Sequence, residues 1–169
     1  TEASQSPKGA KGLLCLPYFS GERTPIHDPH ARGAFFGLNL THTRADMFRA
    51  VVEGIAAGTA HVLETYAEAG ASPDRVLAVG GGTKNPLWLQ ATSDFGHIPQ
   101  QVCEKTIGAS YGDAFLAALA IGTARPPDIL TWNPNAHTVT PDEVPAYATQ
   151  FPLWKRLYAQ TKDLMQALP

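Results

Sequence analysis

Three consecutive glycines, Gly80 to Gly82, separate the apolar run RVLAV (75–79) from NPLWLQATSDFG (85–96). This triplet is the tightest constraint on the fold, because glycine alone takes positive φ freely and lets other groups reach the backbone. The run before it is short, apolar and β-branched, the signature of a buried strand. After it, Asn85 is a helix cap and Pro86 fits the first helical position. Strand, glycine turn and helix in this order suit an anion or a nucleotide phosphate, since close backbone N–H groups and the positive end of a helix converge there. The triplet has neither the GxGxxG spacing nor a GxxxxGK[ST] loop nearby. On this motif alone, a tight turn and a phosphate cradle both stay open.

The remaining chain alternates strands and helices. Residues 13–16 form a strand-length apolar run stopped by Pro17, and AFFGLNL (34–40) is a second, after a loop rich in Pro, His and Asp. A long helix is predicted over 45–69, with Met47, Val51, Ile55, Val62 and Tyr66 at helical spacing and Phe48, Val52 and Leu63 beside them. Thr43 caps it, Asp46 stands three residues on, and Gly70 supplies the stop. QQVCE (100–104) reads as a short strand. GASYGDAFLAALAIG (108–122) reads as a helix of small residues able to lie close to a sheet, and 123–145 as a loop. A final helix over 153–168 carries Leu153, Leu157, Leu164 and Leu168; its apolar face packs on its own sheet or on another subunit. The order predicts an α/β fold with a mixed sheet flanked by helices. The small, polar residues 1–12 read as a linker or a cut end.

Length and charge narrow the function. At 169 residues, 17% charged and with net charge −2, the chain has room for one sizeable core and lacks the basicity of a broad nucleic-acid surface. No apolar run approaches the roughly 20 residues that span a bilayer, and the first residues lack a signal peptide's apolar core, so the cytoplasm is the default location. Cys15 and Cys103 lie far apart and outside any CxxC pair, which points to two buried thiols.

Several polar residues carry two readings. Glu22 and Arg23 in SGERTP either face a cleft or fix a proline-containing loop, with the fixing role favoured; Arg32 is open in the same way. Asp28 in DP reads as a turn residue ahead of a magnesium ligand. His27 and His30 flank that turn without a third ligand, so no protein-made metal site is expected. Arg49 and Glu53, one helical turn apart and off the apolar stripe, read as a weak solvated pair, with a domain-contact role as the alternative. Gly108 and Gly112 read as positions permitting close helix packing.

Four stretches in order, LPYFSGERTPIHDPHARGAFFGL (16–38), RAVVEGIA (49–56), GGGTKNPLWLQATSDFG (80–96) and GASYGDAFLAALAIG (108–122), resemble the C-terminal half of the FGGY carbohydrate kinases, nearest their xylulokinase-like branch. The resemblance covers roughly residues 13–168. It implies an actin-like, ribonuclease H-like ATPase domain that binds ATP with Mg2+ and works with its own N-terminal domain on a small sugar. By resemblance, Gly80, Gly81 and Gly82 approach the nucleotide near its α-phosphate and ribose, Asn85 or Pro86 lies at the adenine edge, and Trp88 and Gln90 orient the helix. The implied activity is phosphorylation of a ketopentose, D-xylulose first, at a terminal hydroxyl. Ribulose, ribitol, glycerol or gluconate kinases, or a nonenzymatic nucleotide-binding regulatory module, are the alternatives. The family's general-base aspartate and most sugar contacts precede the matched region, so the resemblance places no catalytic residue here and implies that this chain alone is inert. Asp113 stands where the family commonly has alanine, which weakens the assignment to the xylulokinase branch.

Overall fold

The computed structural model describes residues 2–169. Its longest element, α1 (Arg44–Glu68), begins where the sequence places it: Thr43 and Asp46 form a reciprocal capping box, and the chain leaves through Gly70 at φ 76°. The buried face of α1 differs from the expected apolar stripe. Ala50, Glu53, Gly54 and Ala57 face inward, whereas Phe48 and Tyr66 are 57% and 52% exposed. Small residues win that face because other backbone comes very close; a Cβ on Gly54 would collide with the Cys15 carbonyl.

That neighbouring backbone is β1 (Leu14–Leu16), which pairs antiparallel with β2 (Ala34–Phe36), Leu14 opposite Phe36 and Leu16 opposite Ala34. Helix α5 (Pro145–Gln166) closes the core from the other side; the Trp154 indole donates to the Cys15 carbonyl at 2.8 Å. Its buried residues are Tyr147, Trp154, Leu157 and Met165. Of the four leucines expected to pack, only Leu157 does; Leu153, Leu164 and Leu168 are exposed. The helix starts eight residues before the expected position and runs through Pro152, since its aromatic first turns have a core to enter: Tyr147 stacks on Phe95 with ring centres 3.9 Å apart.

Residues 2–12 are packed, which corrects the linker reading. They make two short 3-10 turns, Glu2–Gln5 and Ala10–Gly12, against α1. The Ser6 hydroxyl donates to Asp46 at 2.7 Å, and Lys11 reaches the same carboxylate at 2.9 Å. Arg49 and Glu53 are buried, not solvated: the Arg49 Nε donates to Glu53 Oε1 at 2.7 Å, and the guanidinium also reaches the Ser6 carbonyl. Glu53 Oε1 further accepts from the Gly9 N–H and the Tyr147 hydroxyl. Burial works against the Arg49 charge, yet the Glu53 partner prevails and holds its pKa above the ordinary value. Burial and the Glu53 charge together push the Tyr147 phenol up, so it stays a donor.

A second layer carries the glycine turn. The strands β3 (Val76–Ala78) and β4 (Gln100–Cys103) run parallel, Val76 beside Gln100, and β5 (Asn135–Val139) joins β4 antiparallel to complete a mixed sheet ordered β3-β4-β5. Helix α2 (Pro86–Gly96) packs on α1 and is tied to the sheet by Gln100, whose amide donates to the Leu89 carbonyl and the Ser93 hydroxyl at 2.8 and 2.9 Å. β5 and the short α4 (Ile129–Trp132) lie in the region expected to be all loop. Helix α3 (Ala109–Ala120) does not nestle into the sheet. Only its Phe115 is buried, against Trp132, and a Cβ on Gly112 would meet nothing within 4 Å. Cys15 and Cys103 are buried free thiols, as expected, and burial pushes the Cys15 thiol up to about 11. Among the described residues no helix is long and apolar enough to cross a membrane.

Candidate functional site

The chain leaves β3 and turns at Gly80, whose φ of 82° admits few residues but glycine. The Gly80 N–H donates to the Thr106 carbonyl at 2.7 Å, while its own carbonyl accepts from the Thr83 hydroxyl at 2.7 Å. A 3-10 turn over Gly81–Lys84 follows, closed by the Asn85 N–H on the Gly82 carbonyl at 3.0 Å. Asn85 then caps α2 as expected, its Oδ1 accepting from the Leu87 and Trp88 N–H groups at 3.2 and 3.4 Å, with Pro86 in the first helical position.

The three glycines answer to different needs. Gly80 is required by its backbone conformation. Gly82 is favoured by packing, because a Cβ there would lie 3.1 Å from the Trp88 ring, which would have to shift slightly. Trp88 therefore braces the turn. Gly81 has neither reason: its φ is ordinary and a Cβ would meet nothing within 4 Å. The space beside Gly81 is open.

A second glycine turn stands next to the first, joined to it by the Gly80–Thr106 hydrogen bond. Gly108, at φ 77°, opens α3 with no side-chain cap. Asn133 clamps this turn through both ends of its amide, accepting from the Lys105 N–H at 2.9 Å and donating to the Lys105 carbonyl at 2.7 Å. The Tyr111 hydroxyl fixes the first turn of α3 to the Trp132 carbonyl at 2.7 Å. Two adjoining loops thus each lead from a parallel strand through a glycine into a helix, and the positive ends of both helices lie beside the linked turns. Sequence reasoning treated Gly108 as a packing glycine; the repeated strand, glycine and helix order was the signal that could have found its role in the turn.

The other singled-out residues lie apart from this pair of turns. In the loop after Tyr18, Glu22 Oε1 accepts from the Arg23 and Thr24 N–H groups, and Glu22 and Asp28 exchange backbone hydrogen bonds at 2.8 Å. Asp28 is buried; its carboxylate accepts from the His30 N–H and the Tyr158 hydroxyl, and the Tyr158 bond, foremost, lowers its pKa. Both acids thus fix the loop, as expected. The Arg32 guanidinium donates to the Ala31 carbonyl. Gln90 joins Asp94 and the Thr140 carbonyl, which ties α2 to the chain after β5. Asp113 is exposed in the second turn of α3. Among the described residues no three His, Cys, Asp or Glu side chains gather in a way that could hold a metal ion.

Comparison with known proteins places this geometry. The profile of the FGGY family of carbohydrate kinases, C-terminal domain, matches residues 1–121. The xylulose kinase of Bacillus subtilis (strain 168) is 37% identical over 171 aligned residues, 96% of this chain and 33% of that protein. The crystal structure of ligand-bound xylulose kinase from Lactobacillus acidophilus superposes with a TM-score of 0.85 at 28% identity, over 95% of this chain and 34% of that one. The xylulose kinase structure from Rhodospirillum rubrum gives 0.80 at 33% identity, over 97% and 33%. The chain spans about a third of the length of the relatives it matches. Its α/β architecture is that of these sugar kinases, the actin-like, ribonuclease H-like ATPase fold.

Proposed function

The chain belongs to the FGGY family of carbohydrate kinases, as a C-terminal domain of that family, and from this premise we propose that it is the nucleotide-binding half of an ATP-dependent kinase that phosphorylates a ketopentose, D-xylulose first, at a terminal hydroxyl. The observation that carries the reading is the open space beside Gly81, in a turn whose other two glycines are explained by the protein itself. In this reading Gly80, Gly81 and Gly82 offer their backbone to the phosphate and ribose end of ATP, and the helix dipoles of α2 and α3 favour its negative charge. Asn85 and Pro86, fixed by the cap, form the adenine edge.

ATP held at Gly80, Gly81 and Gly82 would supply the phosphoryl group, and an accompanying Mg2+ would offset the charge on its phosphates. The part of the chain described here binds and orients. The general base that takes the sugar's hydroxyl proton, and most sugar contacts, come from an N-terminal domain upstream, which closes over the substrates and keeps water from the phosphates. In this reading the reaction takes place in the cytoplasm, where ATP is supplied.

The test is a coupled ADP-release assay on this domain joined to its native upstream half, with xylulose, ribulose, ribitol, glycerol and gluconate as acceptors. Turnover on xylulose above the others is expected. Preference for another acceptor replaces the substrate, and ATP binding without turnover on any of them favours a nonenzymatic regulatory module.

A further inference from the structure

We propose that Asn133 is a positioning residue for the glycine turn: it fixes the loop that holds Gly80, and through Gly80 it sets the backbone that receives the phosphate and ribose end of ATP. The last step rests on the reading above of what the turn binds.

Asn133 acts where the ladder between β4 and β5 gives out. The register is already irregular between Val102 and Cys103, and the Glu104 N–H still finds the Pro134 carbonyl at 3.0 Å. One residue further on, the side chain of Asn133 takes over from backbone. Its Oδ1 accepts from the Lys105 N–H at 2.9 Å, and its Nδ2 donates to the Lys105 carbonyl at 2.7 Å. A carboxamide carries the same kinds of donor and acceptor as a peptide group, so the side chain extends the ladder by one residue. The two bonds hold the planar peptide units on both sides of the Lys105 Cα, which fixes both of its soft dihedrals.

The next carbonyl along the chain is that of Thr106, and it accepts from the Gly80 N–H at 2.7 Å. Residues 105–107 have no regular structure and Ile107 is 67% exposed, so packing does little to hold that carbonyl. The clamp at Lys105 and the start of α3 at Gly108 hold it instead. Gly80 needs such an anchor, because glycine reaches many conformations at little cost and the turn uses one of them, with φ at 82° and the carbonyl taken by the Thr83 hydroxyl at 2.7 Å. Asn133 thus reaches the triplet through one residue of backbone and one hydrogen bond.

Asn133 is itself held in place. The carbonyl of Trp132 accepts from the Tyr111 hydroxyl at 2.7 Å, and the Trp132 ring meets those of Phe115 and Tyr111 edge-on, with centres 4.8 and 5.9 Å apart. Residues 132–134 therefore brace Glu104, Lys105 and the first turns of α3 as one unit.

The test uses the domain joined to its native upstream half and compares the wild type with Asn133→Ala. The KM and the dissociation constant for ATP should each rise about tenfold on loss of the two-bond clamp, while the KM for the preferred acceptor of the assay above stays within about twofold. Arg125→Ala is the control: it removes an exposed ion pair with Asp128 at the start of the same segment and should change neither constant. Unchanged ATP affinity in a folded Asn133→Ala overturns the proposal, and so does an equal rise in both KM values, which marks a general loss of structure. Should Asn133→Ala fail to fold, Tyr111→Phe carries the same test, since it frees the Trp132 carbonyl and keeps the ring; a rise of about two- to threefold in the ATP constants is expected, and no rise overturns the proposal. A further readout makes no use of ATP. Amide hydrogen exchange at Gly80 should be about tenfold faster in Asn133→Ala with exchange along α1 unchanged; equal exchange at Gly80 overturns the proposal. Faster exchange at Gly80 in a protein whose wild type binds no ATP would sink the kinase reading and keep the hold of Asn133 on the turn.

Discussion

α1 and α3 are both rich in alanine, and they live in opposite surroundings. Ten residues of α1 are buried, and its polar groups on that face find partners from residues 6, 9, 11 and 147; α3 buries Phe115 alone and leaves Leu116 and Ile121 more than 60% exposed. The end built on α1, β1, α5 and residues 2–12 carries most of the buried core. The end built on β3, the two glycine turns and α3 is held largely by backbone and carbonyl-directed bonds and displays apolar surface. Buried packing is thus concentrated in one end and the glycine turns in the other, and local opening is expected to be easier in the second.

The division is open to mutation. Glu53→Ala should have the largest effect, about 3–5 kcal/mol, because it strands the buried Arg49 and removes the acceptor of Gly9 and Tyr147; urea denaturation measures it, and a loss below about 1 kcal/mol would show that the α1 end does not depend on this network. Gly54→Val should follow at about 1–3 kcal/mol, since its Cβ meets the Cys15 backbone carbonyl and not a yielding side chain.

The third effect depends on pH. The Ser6 hydroxyl first, then the Thr43 N–H and the Lys11 ammonium, hold the Asp46 carboxyl well below the usual carboxylate range, against the opposing effect of burial. A depressed folded-state pKa gives stability that is complete above the unfolded value of about 3.9 and lost as pH falls through the folded one. The gap in urea midpoint between the wild type and Asp46→Asn should therefore be constant near neutrality and shrink below about pH 4; a gap independent of pH would refute the linkage.

Gly81→Val should be the mildest for folding, within about 0.5 kcal/mol, because nothing in the protein occupies the space. At the same time it should weaken ATP binding at least about tenfold in the protein joined to its upstream half. Unchanged affinity in a folded variant removes Gly81 from the nucleotide site.

What the sequence disclosed was local. The Thr43–Asp46 box, the Asn85–Pro86 start and the glycine stops are short-range chemistry, and the structure has each in place. The burial of Arg49 and Glu53 depends on Ser6, Gly9 and Tyr147, the last 94 residues from Glu53, so spacing on α1 alone read them as a surface pair. β5 was missed because Asn135, His137 and Thr138 give no apolar alternation; an edge strand facing water needs none. The final helix was expected only from 153; packing of Tyr147, Phe151 and Trp154 starts α5 at Pro145 and carries it through Pro152. Of the apolar residues expected along α1, Met47, Val51 and Val52 pack on the core, while Phe48 and Tyr66 stay exposed.

The double anchorage of Lys8, at 2.6 Å to the wholly buried Asp94 and 2.7 Å to Asp142, also bears on how this protein meets a protease. Trypsin needs a lysine free to enter its specificity pocket on locally extended backbone, and a stretch as small and polar as residues 2–12 would ordinarily be its first target. Here the ammonium is already claimed by α2 and by the chain after β5, and the Gly9 N–H and carbonyl are held by Glu53 and Gln150. Digestion at Lys8 must wait for that end of the domain to open, so the segment that looks most disposable is shielded from cleavage by the fold itself.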